Sequence, residues 1–105
     1  MNINRETIII IELTNANELF LGLESEGKSS YQYIYREALG VYWDEDNHGF
    51  KSTELKEWSH SKWFTHIVSV VKSSLSVELQ LSSKASWVNI PEQERIIIAN
   101  EYAAI

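Results

Sequence analysis

Four consecutive isoleucines, Ile8 to Ile11, sit inside the run Thr7-Ile8-Ile9-Ile10-Ile11-Glu12-Leu13. Side chains branched at Cβ favour an extended backbone over a helix. A strand with one wet face alternates apolar and polar residues, and this run does not. It is therefore expected at the centre of a sheet with both faces covered, in part by a second subunit. Thr14-Asn15-Ala16-Asn17, a turn-forming cluster, ends it.

The 105 residues suit one domain spanning 1–105, because single cores commonly hold about 50 to 200 residues. Cysteine is absent, which removes disulfides and thiolate chemistry and fits a reducing compartment. The first residues lack the apolar core of a signal peptide or a membrane span, so a cytoplasmic protein is expected. Nine basic against fifteen acidic residues give a net charge of −6. That charge repels nucleic acid and anionic membranes and favours a protein partner with a basic surface. It is uneven: residues 1–28 hold Glu6, Glu12, Glu18, Glu24 and Glu26 against Arg5 and Lys28.

Glu18–Glu24 reads as a strand through Leu19, Leu21 and Leu23, with an Asn15/Glu18 capping box as the helical alternative. From Ser30, Tyr31, Tyr33 and Tyr35 alternate with Gln32, Ile34 and Arg36 as in a strand. Glu37-Ala38-Leu39-Gly40 then reads as a turn into Val41-Tyr42-Trp43, and Asp46-Asn47-His48-Gly49 as a turn into Phe50-Lys51-Ser52, giving a three-strand meander. Thr53–Trp58 could add a helical turn. Ser61–Ser74 is an amphipathic helix, with Trp63, Phe64, Ile67, Val68, Val70, Val71 and Leu75 on one arc.

Val77, Leu79 and Leu81 alternate with polar residues as a strand half-exposed to solvent. Pro91, Glu92 and Glu94 start a last helix whose Ile96, Ile97, Ile98, Ala99, Tyr102, Ala103 and Ile105 surround its axis. Such a helix needs cover on more than one side, which points to a homodimer. The expected fold is α+β: a two-layer domain with a mainly antiparallel sheet of four to six strands, packed by one central helix and a C-terminal helix.

Nine of the twelve aromatic residues fall between Tyr31 and Phe64, around the acidic turn Asp44-Glu45-Asp46-Asn47-His48-Gly49. The turn has acids and a glycine where a calcium loop has them, but His48 replaces an oxygen ligand and Leu55 the closing glutamate. It reads as a hairpin turn satisfying its own backbone. His48, His60 and His66, with Glu57 near His60, lack the spacing of a zinc site, so no metal and no cofactor are expected. Glu37, Asp44 and Glu45 with His48 could supply an acid/base pair, although acids near turns are ordinarily a solvated rim. No nucleophile elbow or phosphate loop is present, and the reading leans away from an enzyme.

Tyr31, Tyr33 and Tyr35 on one strand face would form a stiff amphipathic platform for a ligand or partner, or a core face with its hydroxyls at the edge. Trp43 and Trp58 could anchor an interface, while all four tryptophans also suit a core.

Tyr33-Ile34-Tyr35-Arg36-Glu37, running through Val41-Tyr42-Trp43 to Gly49, and then Leu55-Lys56-Glu57-Trp58, carry a resemblance. In them the chain resembles small, acidic, cysteine-free α+β proteins encoded in bacterial mobile gene cassettes and toxin–immunity loci. The resemblance implies a partner-binding, often oligomeric protein and transfers no functional residue.

The function expected is a non-enzymatic protein-binding module, of immunity or toxin-neutralising type, with an acidic, aromatic surface. Its residues would be Tyr31, Tyr33, Tyr35, Trp43, Asp44, Glu45, Asp46, His48 and Trp58. A small-molecule binder or minor enzyme with a pocket lined by the tyrosine strand is the alternative, and a structural homodimer the second.

Overall fold

The computed structural model describes residues 4–37, 40–54 and 58–102. Five strands form one sheet: β1 (Asn4–Leu13), β2 (Glu18–Leu23), β3 (Val41–Asp44), β4 (Gly49–Glu54) and β5 (Val77–Val88), in the order β3-β4-β2-β1-β5. A 3-10 helix (Ser29–Glu37) separates β2 from β3, α1 (His60–Leu75) joins β4 to β5, and α2 (Glu92–Tyr102) follows. Pairings β1–β2, β2–β4 and β3–β4 are antiparallel and β1–β5 is parallel. The sheet is thus mixed and mainly antiparallel, and the helices cover one face of an α+β fold. Alternation reveals a strand without revealing its direction, so the parallel pair was not legible in sequence.

The isoleucine run is resolved by a bulge. Ile8 pairs with Leu23 and Ile10 with Gly22, leaving Ile9 as an extra residue in β1. An extra residue resets the alternation of side chains. Ile8 and Ile11 consequently both face the helices and are fully buried, while Ile10 turns to the opposite face. β5 answers at the same level: Leu81 pairs with Ile8 and Ser86 with Ile10, so residues 82–85 loop away from the ladder. Central position and bulge together accommodate the isoleucines within one chain.

The core lies between sheet and helices. Leu19, Leu21 and Leu23 of β2, Val77, Leu79 and Leu81 of β5, and Phe64, Ile67, Val70 and Val71 of α1 form one buried cluster, joined by Ile98 of α2. The Ser59 hydroxyl caps α1 by accepting from the Lys62 N–H at 3.2 Å, and Ser76 ends it in the left-handed region at φ 57°. A second cap crosses between helices: Glu94 of α2 accepts the Ser61 N–H at 3.0 Å.

Several expectations are corrected here. The segment from Ser29 to Glu37 is a 3-10 helix, not a strand. Three residues per turn put Tyr31 and Ile34 on one side, and each is 1% exposed, whereas Tyr33 and Tyr35 are 46% and 52% exposed. The three-tyrosine platform and the tyrosine-lined pocket therefore do not form, because Tyr31 fills the interior. The three-strand meander consequently loses its first strand, and only its β3–β4 hairpin forms, with β2 pairing on the far side of β4. Thr53 and Glu54 extend β4 instead of starting a helical turn; Leu55–Glu57, like Ala38 and Leu39 of the expected turn before Val41, lie outside the described residues. The strand from Val77 continues to Val88. In α2, Ile98 is buried while Ile96 and Ile97 stay exposed; Ala103 and Ile105 fall outside the described residues.

Candidate binding site

Strand register builds a trough on the face of the sheet that the helices leave open. One cross-strand rank runs Ile10, Gly22, Gly49, Asp44, and the next runs Glu12, Phe20, Lys51, Tyr42. Two adjacent glycines make the first rank hollow at its centre. Phe20 lays its ring over them: a Cβ built on Gly49 would stand 2.5 Å from its Cε1, and one on Gly22 would stand 3.0 Å from its Cε2. What remains is a cavity of about 240 Å³ lined by Ile10, Glu12, Thr14, Phe20, Asp44 and Asn47. Its walls are apolar at Ile10 and Phe20 and acidic at Glu12 and Asp44.

The acidic turn shapes one end. Asp44 Oδ1 accepts the Asp46 and Asn47 N–H groups at 3.1 and 3.2 Å, and Asn47 Nδ2 donates to Asp44 Oδ2 at 3.0 Å. This is the self-satisfying turn expected from the residue types. Burial raises the pKa of the Asp44 carboxyl, but the Asn47 hydrogen bonds, the Lys51 charge and the Asp46 N–H outweigh it and hold it below its ordinary value. His48 takes the positive φ of the turn at 54°, and its carbonyl accepts the Leu23 N–H at 2.8 Å. Glu45 and Asp46 are exposed. Lys51 leans toward Glu18, with Nζ 3.9 Å from Oε1.

Aromatic residues divide into two groups. Trp43 packs edge-on against Tyr31 and Phe50, with centroids 5.3 and 4.9 Å away, and its indole N–H donates to Glu45. Gly27, at φ 77°, lies so close that a Cβ would stand 2.6 Å from the Trp43 ring. The Tyr31 hydroxyl donates to Glu6 Oε2 at 2.6 Å. Burial first, then that hydrogen bond and the Glu6 charge, push its pKa well above the usual tyrosine value. These contacts hold Tyr31 and Trp43 in the packing between the 3-10 helix and the sheet.

The second group runs along α1 from Trp63, which packs against the core, to the half-buried Trp58 and His66. Trp58 and Trp63 rings are 4.8 Å apart, His66 meets both edge-on, and Lys62 Nζ sits 4.8 Å from the Trp58 centroid. Nearby, His60 Nδ1 is 3.8 Å from Glu94 Oε1, and its Nε2 is buried without a partner among the described residues. Among those residues no three acids or histidines converge as a metal-ligand set. No helix among them is long and apolar enough to cross a membrane.

The structure thus brings Asp44 to the trough, sets Glu45, Asp46 and His48 beside it in the turn, and separates Tyr33, Tyr35 and Trp58 from it. Sequence reasoning missed Ile10, Glu12, Thr14 and Phe20 as a group. A signal was present: Ile10, Glu12 and Thr14 alternate beyond the isoleucine run, and Phe20 stands out of phase with the three leucines of β2.

Fold and site together define a small open-sheet α+β protein with one covered and one uncovered sheet face. More specifically, the family model of Integron Cassette Protein Hfx_Cass5 matches residues 6–85, and the chain belongs to that family. A solved structure of Integron Cassette Protein Hfx_Cass5, from the mobile metagenome of the North West Arm sewage outfall, is 30% identical. The alignment covers 98% of this chain and 100% of that one, with a TM-score of 0.43. No curated protein matches the chain.

Proposed function

We propose that the protein is a non-enzymatic binding module that recognises a basic protein surface through the open face of its sheet, as an immunity or toxin-neutralising protein would in the cytoplasm. The observation that carries this reading is the trough, a half-apolar hollow with Ile10 and Phe20 beside Glu12 and Asp44. Acids around it steer a basic partner, and a desolvated apolar centre supplies contact energy. The net charge of −6 acts in the same direction at longer range. The test is affinity capture from the native host's lysate by the wild-type chain and by a Glu12→Lys, Asp44→Lys variant. A protein retained by the first, released by salt and lost with the second supports the reading; equal retention by both, or no retention, overturns it.

Self-association is a second reading, favoured by the neighbouring Ile96 and Ile97 of α2, which are 51% and 42% exposed. Large apolar side chains exposed near one another on a small protein are commonly covered in an assembly. Light scattering at micromolar concentration checks it, and a monomer mass removes it.

A further inference from the structure

We propose that the trough is a receptor for one guanidinium side chain, so that an arginine of the partner is the group inserted; the inference rests on the open face being the recognition surface. Four observations lead there. At about 240 Å³ the cavity is smaller than a cofactor or drug-sized site, which runs to roughly 300–1,000 Å³, and suits a single side chain. Ile10 and Phe20 offer apolar walls to methylene groups.

The Glu12 side chain, half-buried at one wall, makes no hydrogen bond or ion pair among the described residues. A carboxylate partly stripped of water and given no cation is unfavourable by itself, and a bound cation removes that penalty. At the opposite wall Asp44 is held ionised by its own turn. It adds negative potential without needing to rearrange. Lys51 borders the trough from β4 but leans toward Glu18, leaving Glu12 to the ligand.

Guanidinium is favoured over ammonium for two reasons. Its planar fork meets a carboxylate through two parallel hydrogen bonds, and it is less strongly hydrated, so entering a half-apolar hollow costs it less. A divalent cation is disfavoured, because calcium takes about six to eight oxygen ligands and Asp44 already spends its oxygens on the turn.

The experiment titrates the full chain, labelled with nitrogen-15, with N-acetyl-arginine methylamide, its lysine counterpart and its citrulline counterpart. Citrulline has the shape of arginine without the charge. The arginine compound should give saturable amide shifts at Gly22, Gly49 and Asn47, with citrulline weaker by about tenfold or more. Glu12→Gln should weaken arginine binding by about tenfold, and Glu78→Gln, on β5 outside the trough, should leave it unchanged. Equal binding of arginine and citrulline, shifts centred elsewhere, or no saturable shift overturns the proposal, and tighter binding of the lysine compound overturns the choice of guanidinium. If arginine fails while partner capture still depends on Glu12 and Asp44, the recognition face stands and only the inserted group is wrong. Loss of both removes the two readings together.

Discussion

The two faces of this sheet come from the same strands and solve different problems. Under the helices, Leu19, Leu21 and Leu23 interlock with Phe64, Ile67 and Val71 in a close-packed layer. On the other side the same β2 strand presents Glu18, Phe20 and Gly22, and Phe20 is 7% exposed although no helix covers it. It is buried by lying flat on two glycines. One face is filled by many large side chains, and on the other a single ring fills the space over the two glycines and walls the trough beside it. Stability should therefore concentrate on the first face and recognition on the second.

Phe64→Ala gives the strongest test of that division. The ring is fully buried and packs 4.8 Å from Tyr102, so urea unfolding should show a loss of about 3–5 kcal/mol. A loss below about 1 kcal/mol would mean that the helical layer is not the main source of stability. Gly49→Ala probes the hollow face. Its added methyl would collide with the Leu21 carbonyl oxygen and stand 2.5 Å from Phe20. A backbone oxygen cannot step aside, so a cost of about 1–3 kcal/mol is expected, and a neutral result would show the glycine rank to be freely adjustable.

Tyr31→Phe should cost about 1 kcal/mol through its hydrogen bond to Glu6. Its pH dependence sharpens the test. The folded state holds this hydroxyl neutral above its ordinary pKa of 10.0, so the contribution is complete below that value and falls as pH rises beyond it. The variant should have a flatter alkaline limb in a series of unfolding midpoints. Asp44→Asn should show a smaller effect of opposite sense. The Asp44 pKa is lowered on folding from 3.8, so its contribution is present above that value and is lost as pH falls through the lower folded value. Glu12→Gln should change stability by less than about 0.5 kcal/mol, because its carboxylate has no partner to lose among the described residues.

Sequence pattern made most of the covered face legible. The leucines of β2, the alternation from Val77 and the apolar arc of α1 each state a period that burial enforces. It failed where a period was ambiguous. Tyrosine is stable both buried and exposed, so its recurrence at every second residue mimicked a strand, while Tyr31 and Ile34, three apart, carried the real signal. Gly27-Lys28-Ser29-Ser30 just ahead of Tyr31 could have indicated a turn into a helix. The trough was hidden for another reason: it lies beside the Phe20 ring, which packs on Gly22 and Gly49 where they meet across two strands, and register between distant segments is not written in local periodicity. The acidic turn, whose Asp44 and Asn47 side chains bond locally, was legible from its residue types.

Glu94 has a consequence for the order in which the molecule can assemble. It satisfies the first turn of α1 from 33 residues further along the chain. While the polypeptide is being made, α1 emerges with its Ser61 N–H still seeking a partner, and that partner appears only when α2 follows. The start of α1 thus depends on a clasp that lies beyond β5, and the last helix acts as the fastener that completes the first.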